Sequence, residues 1–305
     1  MQALKHHSPY RGIGYMLLAA FCFSSMGAAA KMLKGSFTAG QLVFYRNIVG
    51  LLFLSIGLIL RPPKSVGGKM GWLVFRGFMG TVALYTLLFC VLHMPLGTAM
   101  TYNLTSAIFI ALFSYFLYGE FHGPLVLTAL LIGFTGMIFV YKPSMHLPGI
   151  WHLAGLISGI TSAIAYMTVG RLTKYYDPRV IVAAFIVTGV AIPLLSLALQ
   201  AATGLPADGL FLIDWKTPSG NEWLWVLLLG IFALFGQYFV TRAYGSDKAA
   251  VVSAVSYANI IFSVSFGYAL GDGFPDPLSF TGILLIITSG VLISLYRSRP
   301  SSNKA

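Results

Sequence analysis

Charged residues are scarce in this chain of 305 amino acids. They make up 9% of it, and only eight of them are Asp or Glu. A soluble globular domain usually has about 25% charged residues, because its surface must face water. The scarcity therefore excludes an ordinary soluble domain and favours a protein whose surface largely faces lipid.

Cysteine is also rare, with only Cys22 and Cys90. Both lie in apolar sequence, where cysteine packs as a small hydrophobic residue, so no disulfide framework is expected. The six histidines are scattered, and no cluster of His, Cys or Glu has the spacing of metal ligands. The chain has no Walker motif, which excludes direct use of ATP. We expect no cofactor.

Ten hydrophobic blocks fill the chain instead. A helix of about 20 apolar residues spans a bilayer and satisfies its own backbone hydrogen bonds there. The predicted fold class is therefore an all-α polytopic membrane protein with ten transmembrane helices. The blocks are Gly12–Ala30, Ala39–Leu60, Gly71–Leu92, Gly97–Tyr118, Pro124–Tyr141, Gly149–Gly170, Val180–Ala201, Glu222–Arg242, Ala249–Leu270 and Ser279–Tyr296.

Basic residues are distributed unequally between alternate connections. If the N-terminus is cytoplasmic, 14 Lys and Arg fall on inside segments and 4 on outside segments, with Arg46 left within a block. This asymmetry follows the positive-inside rule, so the net charge of +11 is interpreted as topology and no nucleic-acid partner is expected. We expect a multi-pass protein of the cell inner (cytoplasmic) membrane with both termini cytoplasmic.

The second half of the chain repeats features of the first. Gly119-Glu120 follows the fourth block, and Gly271-Asp272 follows the ninth block 152 residues later. Five crossings per half is an odd number, so the second copy would be inverted relative to the first, as in many transporters. The sequence predicts two inverted five-helix repeats. The predicted bounds are a tail at 1–11, repeats at 12–145 and 146–296, and a second tail at 297–305.

Several passages in this order resemble the drug/metabolite transporter superfamily, specifically its EamA-type ten-helix members. These passages are Tyr45-Arg46, Leu92 to Ala99 leading to Gly119-Glu120, Arg242 to Tyr244 through Ala249 to Val252, Tyr257, and Gly271-Asp272. The last acid is Asp where many members have Glu. The resemblance implies an inner-membrane carrier with ten helices, inverted repeats and a central cavity, and it does not name a substrate.

One charged residue lies within a block, and a charge inside a bilayer is costly enough to require a reason. Arg46 is therefore a candidate to bind a carboxylate or phosphate in a cavity. The alternative is that it snorkels to the membrane surface or pairs with helix-end carbonyls. Arg76 and Arg242 lie near block ends and are interpreted as interfacial residues.

Uncharged polar and aromatic residues within the blocks are further candidates to line a substrate cavity. A buried amide or hydroxyl in lipid must find a partner, so these residues face other helices or water. Hydrogen bonding between helices is the alternative for each. The candidates are Asn47, Ser25, Tyr85, Tyr102, Asn103, Tyr166, Gln237, Tyr238, Tyr257 and Asn259.

All eight acidic residues lie at block ends or in connections. Proton-coupled carriers commonly use a buried carboxylate, so the sequence gives little support for such a relay. Glu120 and Asp272 are interpreted as residues that brace helix ends.

We therefore expect a secondary or facilitative transporter that moves a small polar metabolite, an organic anion or a zwitterion such as an amino acid, by alternating access. The expected partners are that small molecule and the lipid bilayer, with the protein a monomer or a homodimer. A channel and an intramembrane enzyme are the alternatives. The chain lacks a nucleophile motif and a zinc-protease motif, so we expect no enzyme.

Overall fold

The computed structural model describes residues 11–63, 66–118, 124–141, 149–203, 215–247, 249–271 and 277–297. All regular secondary structure in these ranges is helical. Glu120 and Asp272, which were predicted to brace helix ends, lie outside the described residues. The helices are α1 (Arg11–Met32), α2 (Ala39–Leu60), α3 (Met70–His93), α4 (Leu96–Leu104), α5 (Ser106–Tyr118), α6 (Pro124–Tyr141), α7 (Gly149–Leu172), α8 (Pro178–Thr203), α9 (Glu222–Ser246), α10 (Ala249–Val255), α11 (Ala258–Ala269) and α12 (Pro277–Arg297).

Seven helical stretches in the described residues are long and apolar enough to cross a membrane. Their outward surfaces are also apolar, as the exposed side chains of Leu52, Ile59 and Leu195 illustrate. Contiguous exposed apolar surface of this extent is unfavourable in water and favourable in lipid. The all-helical, polytopic membrane class predicted from the sequence is therefore confirmed, whereas the count of ten crossings stays a prediction.

The fourth and ninth hydrophobic blocks differ from the prediction, because neither forms one continuous helix. The fourth block divides into α4 and α5 at Thr105, and the ninth into α10 and α11 at Ser256-Tyr257. At the first break, the Thr105 amide bonds to the Tyr102 carbonyl three residues back, at 3.2 Å, instead of one four residues back. Thr105 and Tyr257 are 152 residues apart, the same separation as Gly119 and Gly271.

The beginning of α2 illustrates how local sequence sets a helix boundary. The Thr38 hydroxyl accepts a hydrogen bond from the Gln41 amide, and the Gln41 side chain accepts one from the Thr38 amide at 2.9 Å. This capping box satisfies amide groups that the first turn of a helix leaves without partners. It fixes the point at which the chain turns into the helix that carries Arg46.

Helices of the first half of the chain pack against helices of the second half. α1 packs along α9, and α3 packs along α7. α2 packs against α8, and α6 against α12. The broken pair α10–α11 contacts α1, as the broken pair α4–α5 contacts α7.

Hydrogen bonds join separate segments of the chain at both ends of the bundle. At one end, the amides of Val66 and Gly67 donate to the carbonyl of Tyr175, joining the α2–α3 and α7–α8 connections. At the other end, the Tyr45 hydroxyl donates to the carbonyl of Lys216 at 2.7 Å. Among the described residues, the end that holds the α2–α3 connection is the more basic one, with Arg61, Lys69, Arg171, Lys174 and Arg179.

Candidate functional site

A cavity lies in the middle of the bundle, between helices of both halves of the chain. Its walls come from α1, α2, α3, α4, α5, α7, α8, α9 and α11. The polar and aromatic residues in the walls are Phe23, Arg46, Arg76, Asn103, Ser106, Ser162, Tyr166, Phe185, Gln237, Tyr244, Ser256 and Asn259. Residues beside both helix breaks are thus part of one site.

Arg46 reaches this cavity from α2 with only 2% of its surface exposed. Its Nη1 donates to Oδ1 of Asn47 at 2.8 Å, and Asn47 in turn donates to the Val43 carbonyl at 2.7 Å. The Nε–H of Arg46 is buried and has no hydrogen-bond partner among the described residues. Asn47 therefore positions Arg46 from behind, although the sequence placed Asn47 in the cavity wall.

Arg76 reaches the same cavity from α3, and this corrects the sequence interpretation of an interfacial residue. Only 1% of it is exposed, so it does not extend to the membrane surface. Its Nη2 donates to Oε1 of Gln237 at 3.0 Å, while Nε and Nη1 are buried without partners among the described residues. Gly80 makes room for Arg76 and for the Phe185 ring, since a Cβ there would lie 2.8 Å from Cδ2 of Phe185 and 3.3 Å from Nη1 of Arg76.

Both guanidinium groups pack over one aromatic ring. The guanidinium carbon of Arg46 lies 5.1 Å from the ring centroid of Phe185, and that of Arg76 lies 4.7 Å from it. The ring quadrupole attracts a cation at this distance, by about 2 kcal/mol when water is excluded. This attraction offsets only part of the cost of burying two like charges together.

Two asparagines of the cavity wall bind the broken helices to neighbouring helices. Nδ2 of Asn103, beside the α4–α5 break, donates to the hydroxyls of Ser158 at 2.9 Å and Ser162 at 2.8 Å. Asn259, beside the α10–α11 break, donates to the Ala20 carbonyl at 2.9 Å. The backbone carbonyl of Asn259 also accepts from the Ser24 hydroxyl at 2.9 Å. Each break is thereby held against a neighbouring helix.

Five of the eleven residues predicted from the sequence line the cavity. They are Arg46, Asn103, Tyr166, Gln237 and Asn259. The ring of Tyr166 stacks on that of Tyr244, with centroids 5.0 Å apart and an angle of 15° between the rings. The hydroxyl-bearing and amide-bearing candidates in this group come from four different helices, which the fold brings together.

Three other predicted residues pack elsewhere in the bundle. Ser25 donates to the carbonyl of Phe21 in its own helix at 3.0 Å. Tyr85 is fully buried among apolar side chains of the largest core cluster. Tyr257 is buried at the second break, where its ring lies so close to Gly133 that a Cβ there would be 2.4 Å from it. None of these three lines the cavity.

Besides Asn47, which lies behind Arg46, the remaining predicted residues are Tyr102 and Tyr238, and these two lie toward opposite ends of the bundle. The Tyr102 hydroxyl is hydrogen-bonded to Nδ1 of His152 on α7. Tyr238 lies beside Arg242, whose guanidinium carbon is 5.8 Å from its ring centroid. Arg242 also donates to the hydroxyl of Tyr15 at 3.3 Å. These contacts join helices and do not line the cavity.

Sequence reasoning missed seven polar and aromatic residues of the cavity wall, which are Phe23, Arg76, Ser106, Ser162, Phe185, Tyr244 and Ser256. A signal for Arg76 was present, because it lies several residues inside α3 and a small residue, Gly80, follows one helical turn later. Phe185 carried no signal, since the apolar block around it contains similar side chains on every face.

The chemistry of the cavity is cationic and hydrogen-bonding. None of the described residues in its walls is acidic, and no group of His, Cys, Asp or Glu in the described residues could hold a metal ion. The centres of water molecules can occupy about 60 Å³ of the cavity. This volume corresponds to a few water molecules.

Comparison with known proteins gives consistent matches along the chain. The model of the EamA-like transporter family matches residues 10–142 and 149–295. A protein of Helicobacter pylori described as an uncharacterized transporter is 32% identical, over 93% of this chain and 94% of its own length. A pseudopaline exporter of Pseudomonas aeruginosa is 29% identical, over 93% of this chain and 95% of its own. A solved crystal structure has the same fold, with a TM-score of 0.72 at 19% identity over 95% of this chain and 98% of its own.

Proposed function

This chain belongs to the EamA-like transporter family, and we propose that it carries a small, negatively charged metabolite across the cytoplasmic membrane by alternating access. The family and these relatives are transporters rather than enzymes. The proposal adds a substrate class, a site and a mechanism. The observation that carries it is the pair of buried guanidinium groups, Arg46 and Arg76, facing one central cavity.

The energetics of burial favour an anionic ligand in that cavity. An ionised group taken out of water is destabilised by several kcal/mol unless it is paired and hydrogen-bonded. Arg46 and Arg76 each have one amide partner and at least one buried N–H without a partner among the described residues. A carboxylate or phosphate in the cavity would accept these N–H groups and compensate the charge. A cationic substrate would add to the repulsion.

The packing of the helices supports two inverted five-helix repeats, with bounds of 12–145 and 146–296. If the second half repeats the first in chain order, α7, α8 and α9 correspond to α1, α2 and α3. The pair α1–α9 then corresponds to α7–α3, while α2–α8 and α6–α12 each correspond to themselves. A twofold axis between the two halves would require each helix pair to map onto itself or onto another observed pair, as these do. The breaks at Thr105 and Tyr257 also correspond.

Alternating access follows from such an arrangement. Discontinuous helices in corresponding positions of two inverted repeats frame the substrate site of many carriers, and rocking of one repeat against the other exposes it to each side in turn. The same picture has ten crossings, an inner-membrane location and both termini on the cytoplasmic side, where the basic end of the bundle lies. The lipid bilayer is then the surrounding partner, and the protein works as a monomer or a homodimer.

Transport assays in proteoliposomes test this function. Purified protein should move organic anions, and the Arg46→Gln variant should move them at least about tenfold more slowly, because hydrogen bonds to a charged group contribute roughly 1.5–3 kcal/mol. Arg61→Gln, which removes an exposed arginine at the other end of α2, is the matched control and should transport normally. Clear movement of organic cations with indifference to anions would reject the proposal, as would normal transport by a folded Arg46→Gln protein.

A further inference from the structure

The charge of the central cavity can be counted, and none of the described acidic residues balances it. Arg46 and Arg76 contribute two positive charges, both buried. Among the described residues, the acids are Asp177, Glu222 and Asp247, and none of them lines the cavity. Asp177 pairs with an arginine and Glu222 with a lysine of their own end of the bundle.

The two guanidinium groups are held apart from each other by separate partners. Asn47 holds Arg46 on α2, and Gln237 holds Arg76 across from α9. The ring of Phe185 lies about 5 Å from each guanidinium carbon. Each group thus has its own anchor, and each retains at least one buried N–H without a partner among the described residues.

From this geometry we propose that the substrate is an organic dianion, with two negative charges that are compensated by Arg46 and Arg76 together. The inference rests on the proposed function, since it takes the cavity as the transport site. A monoanion would leave one buried positive charge uncompensated. A zwitterion would also bring an ammonium group beside two guanidinium groups, where no described wall residue is acidic. The structure thus favours a dianion over the zwitterion that the sequence left open.

Two chemical classes meet this requirement, a dicarboxylate and a phosphate monoester. In a dicarboxylate each guanidinium binds its own carboxylate, and in a phosphate monoester both bind oxygens of one phosphate. Both N–H groups of Asn103 already donate to serine hydroxyls. Its Oδ1 and the hydroxyl proton of Ser162 lie in the same walls and are the groups that would bond the uncharged part of either substrate.

A matched panel of probes tests the proposal on the wild-type protein. Succinate, butyrate, alanine and glycerol 3-phosphate differ mainly in charge and in the type of anionic group. Two effects would be measured for each probe, inhibition of organic-anion transport and thermal stabilisation of the protein. A dianion should produce each effect at a concentration about ten- to hundredfold lower than butyrate or alanine, the range expected from one more charged hydrogen-bonded contact. Succinate against glycerol 3-phosphate distinguishes two carboxylates from one phosphate.

Variants test the assignment of one charge to each arginine. Arg46→Gln and Arg76→Gln should each remove the preference for dianions over butyrate, while Arg46→Lys and Arg76→Lys should retain part of it. Size-exclusion chromatography identifies any variant that fails to fold, and the wild-type ranking does not depend on variants. Equal potency of succinate, glycerol 3-phosphate and butyrate would overturn the dianion while leaving an anion carrier intact. A preference for organic cations would overturn the proposed function as well.

Discussion

A single methyl group on α8 should disturb the cavity through the residue that positions Arg46. Gly189 faces Asn47, and a Cβ at Gly189 would lie 2.2 Å from Nδ2 and 2.7 Å from Cγ of that side chain. Asn47 is short and is held by two hydrogen bonds, at 2.7 Å and 2.8 Å. The Gly189→Ala variant must therefore displace Asn47 and break both bonds.

The magnitude follows from these contacts. A hydrogen bond from a charged donor contributes roughly 1.5–3 kcal/mol and a neutral one about 1 kcal/mol. Alanine stabilises a helix relative to glycine by about 1 kcal/mol, which offsets part of this loss of hydrogen-bond free energy. We expect Gly189→Ala to lower the free energy of unfolding by about 1–3 kcal/mol. Anion binding should weaken by about tenfold, because Arg46 loses its anchor.

A double-mutant cycle isolates the contact. On an Asn47→Ala background the clashing side chain is gone, so adding Gly189→Ala should have little further effect. Gly57→Ala on α2 is the matched control, because a Cβ there meets no atom within 4 Å. Thermal unfolding in detergent and anion binding would both be measured. The reasoning is refuted if Gly189→Ala behaves like Gly57→Ala, or if its effect is undiminished without the Asn47 side chain.

Three further predictions address other parts of the structure. Replacing Gln237 by Leu leaves a buried N–H of Arg76 without an acceptor. We therefore expect the free energy of unfolding to fall by roughly 1.5–3 kcal/mol and dianion binding to weaken. Unchanged values of both would contradict a role for this contact. Gly159→Ala should destabilise the protein by about 1–3 kcal/mol, since its Cβ would lie 2.1 Å from the hydroxyl of Thr105 at the first helix break. Gly14→Ala is the control, because its Cβ meets no atom within 4 Å, and it should be neutral or stabilising in the same unfolding assay. Burial raises the pKa of Asp177, but hydrogen bonds and charge from Arg179 outweigh it and lower the pKa below its ordinary value of 3.8. The Asp177 carboxylate therefore stabilises the fold above that value, by about 1 kcal/mol or less for a partly exposed pair, and this contribution is lost as the pH falls through the lowered pKa. Asp177→Asn should flatten the acid side of the stability–pH profile, and an unchanged profile would contradict the pairing.

Much of the fold was predictable because lipid constrains the sequence so strongly. A backbone in hydrocarbon must satisfy its hydrogen bonds within helices, so long apolar blocks mark helices directly. The predicted start of α2 at Ala39 and its end at Leu60 agree with the structure. The breaks at Thr105 and Tyr257 were not predicted, because they depend on the close approach of residues from other helices, such as Gly159, and leave little trace in hydropathy.

The site was predictable only in part, and Arg46 and Arg76 illustrate the reason. Arg46 lies inside an apolar block, so its cost in lipid identified it from sequence alone. Arg76 lies closer to a helix end, where sequence cannot distinguish a side chain that reaches the membrane surface from one that turns inward. Its contacts with Gln237 and Phe185, which are distant in sequence, decide the matter.

Accessibility of the cavity from each side of the membrane tests the central claim most directly. A single cysteine at Ser162→Cys, in a protein whose buried Cys22 and Cys90 are replaced by alanine, would be labelled in oriented proteoliposomes with a thiol reagent that does not cross membranes. We predict labelling from either side, and slower labelling from both sides when succinate or glycerol 3-phosphate is present. Labelling from one side alone, or labelling that organic anions do not affect, would contradict a carrier whose arginine-lined cavity opens to each compartment in turn.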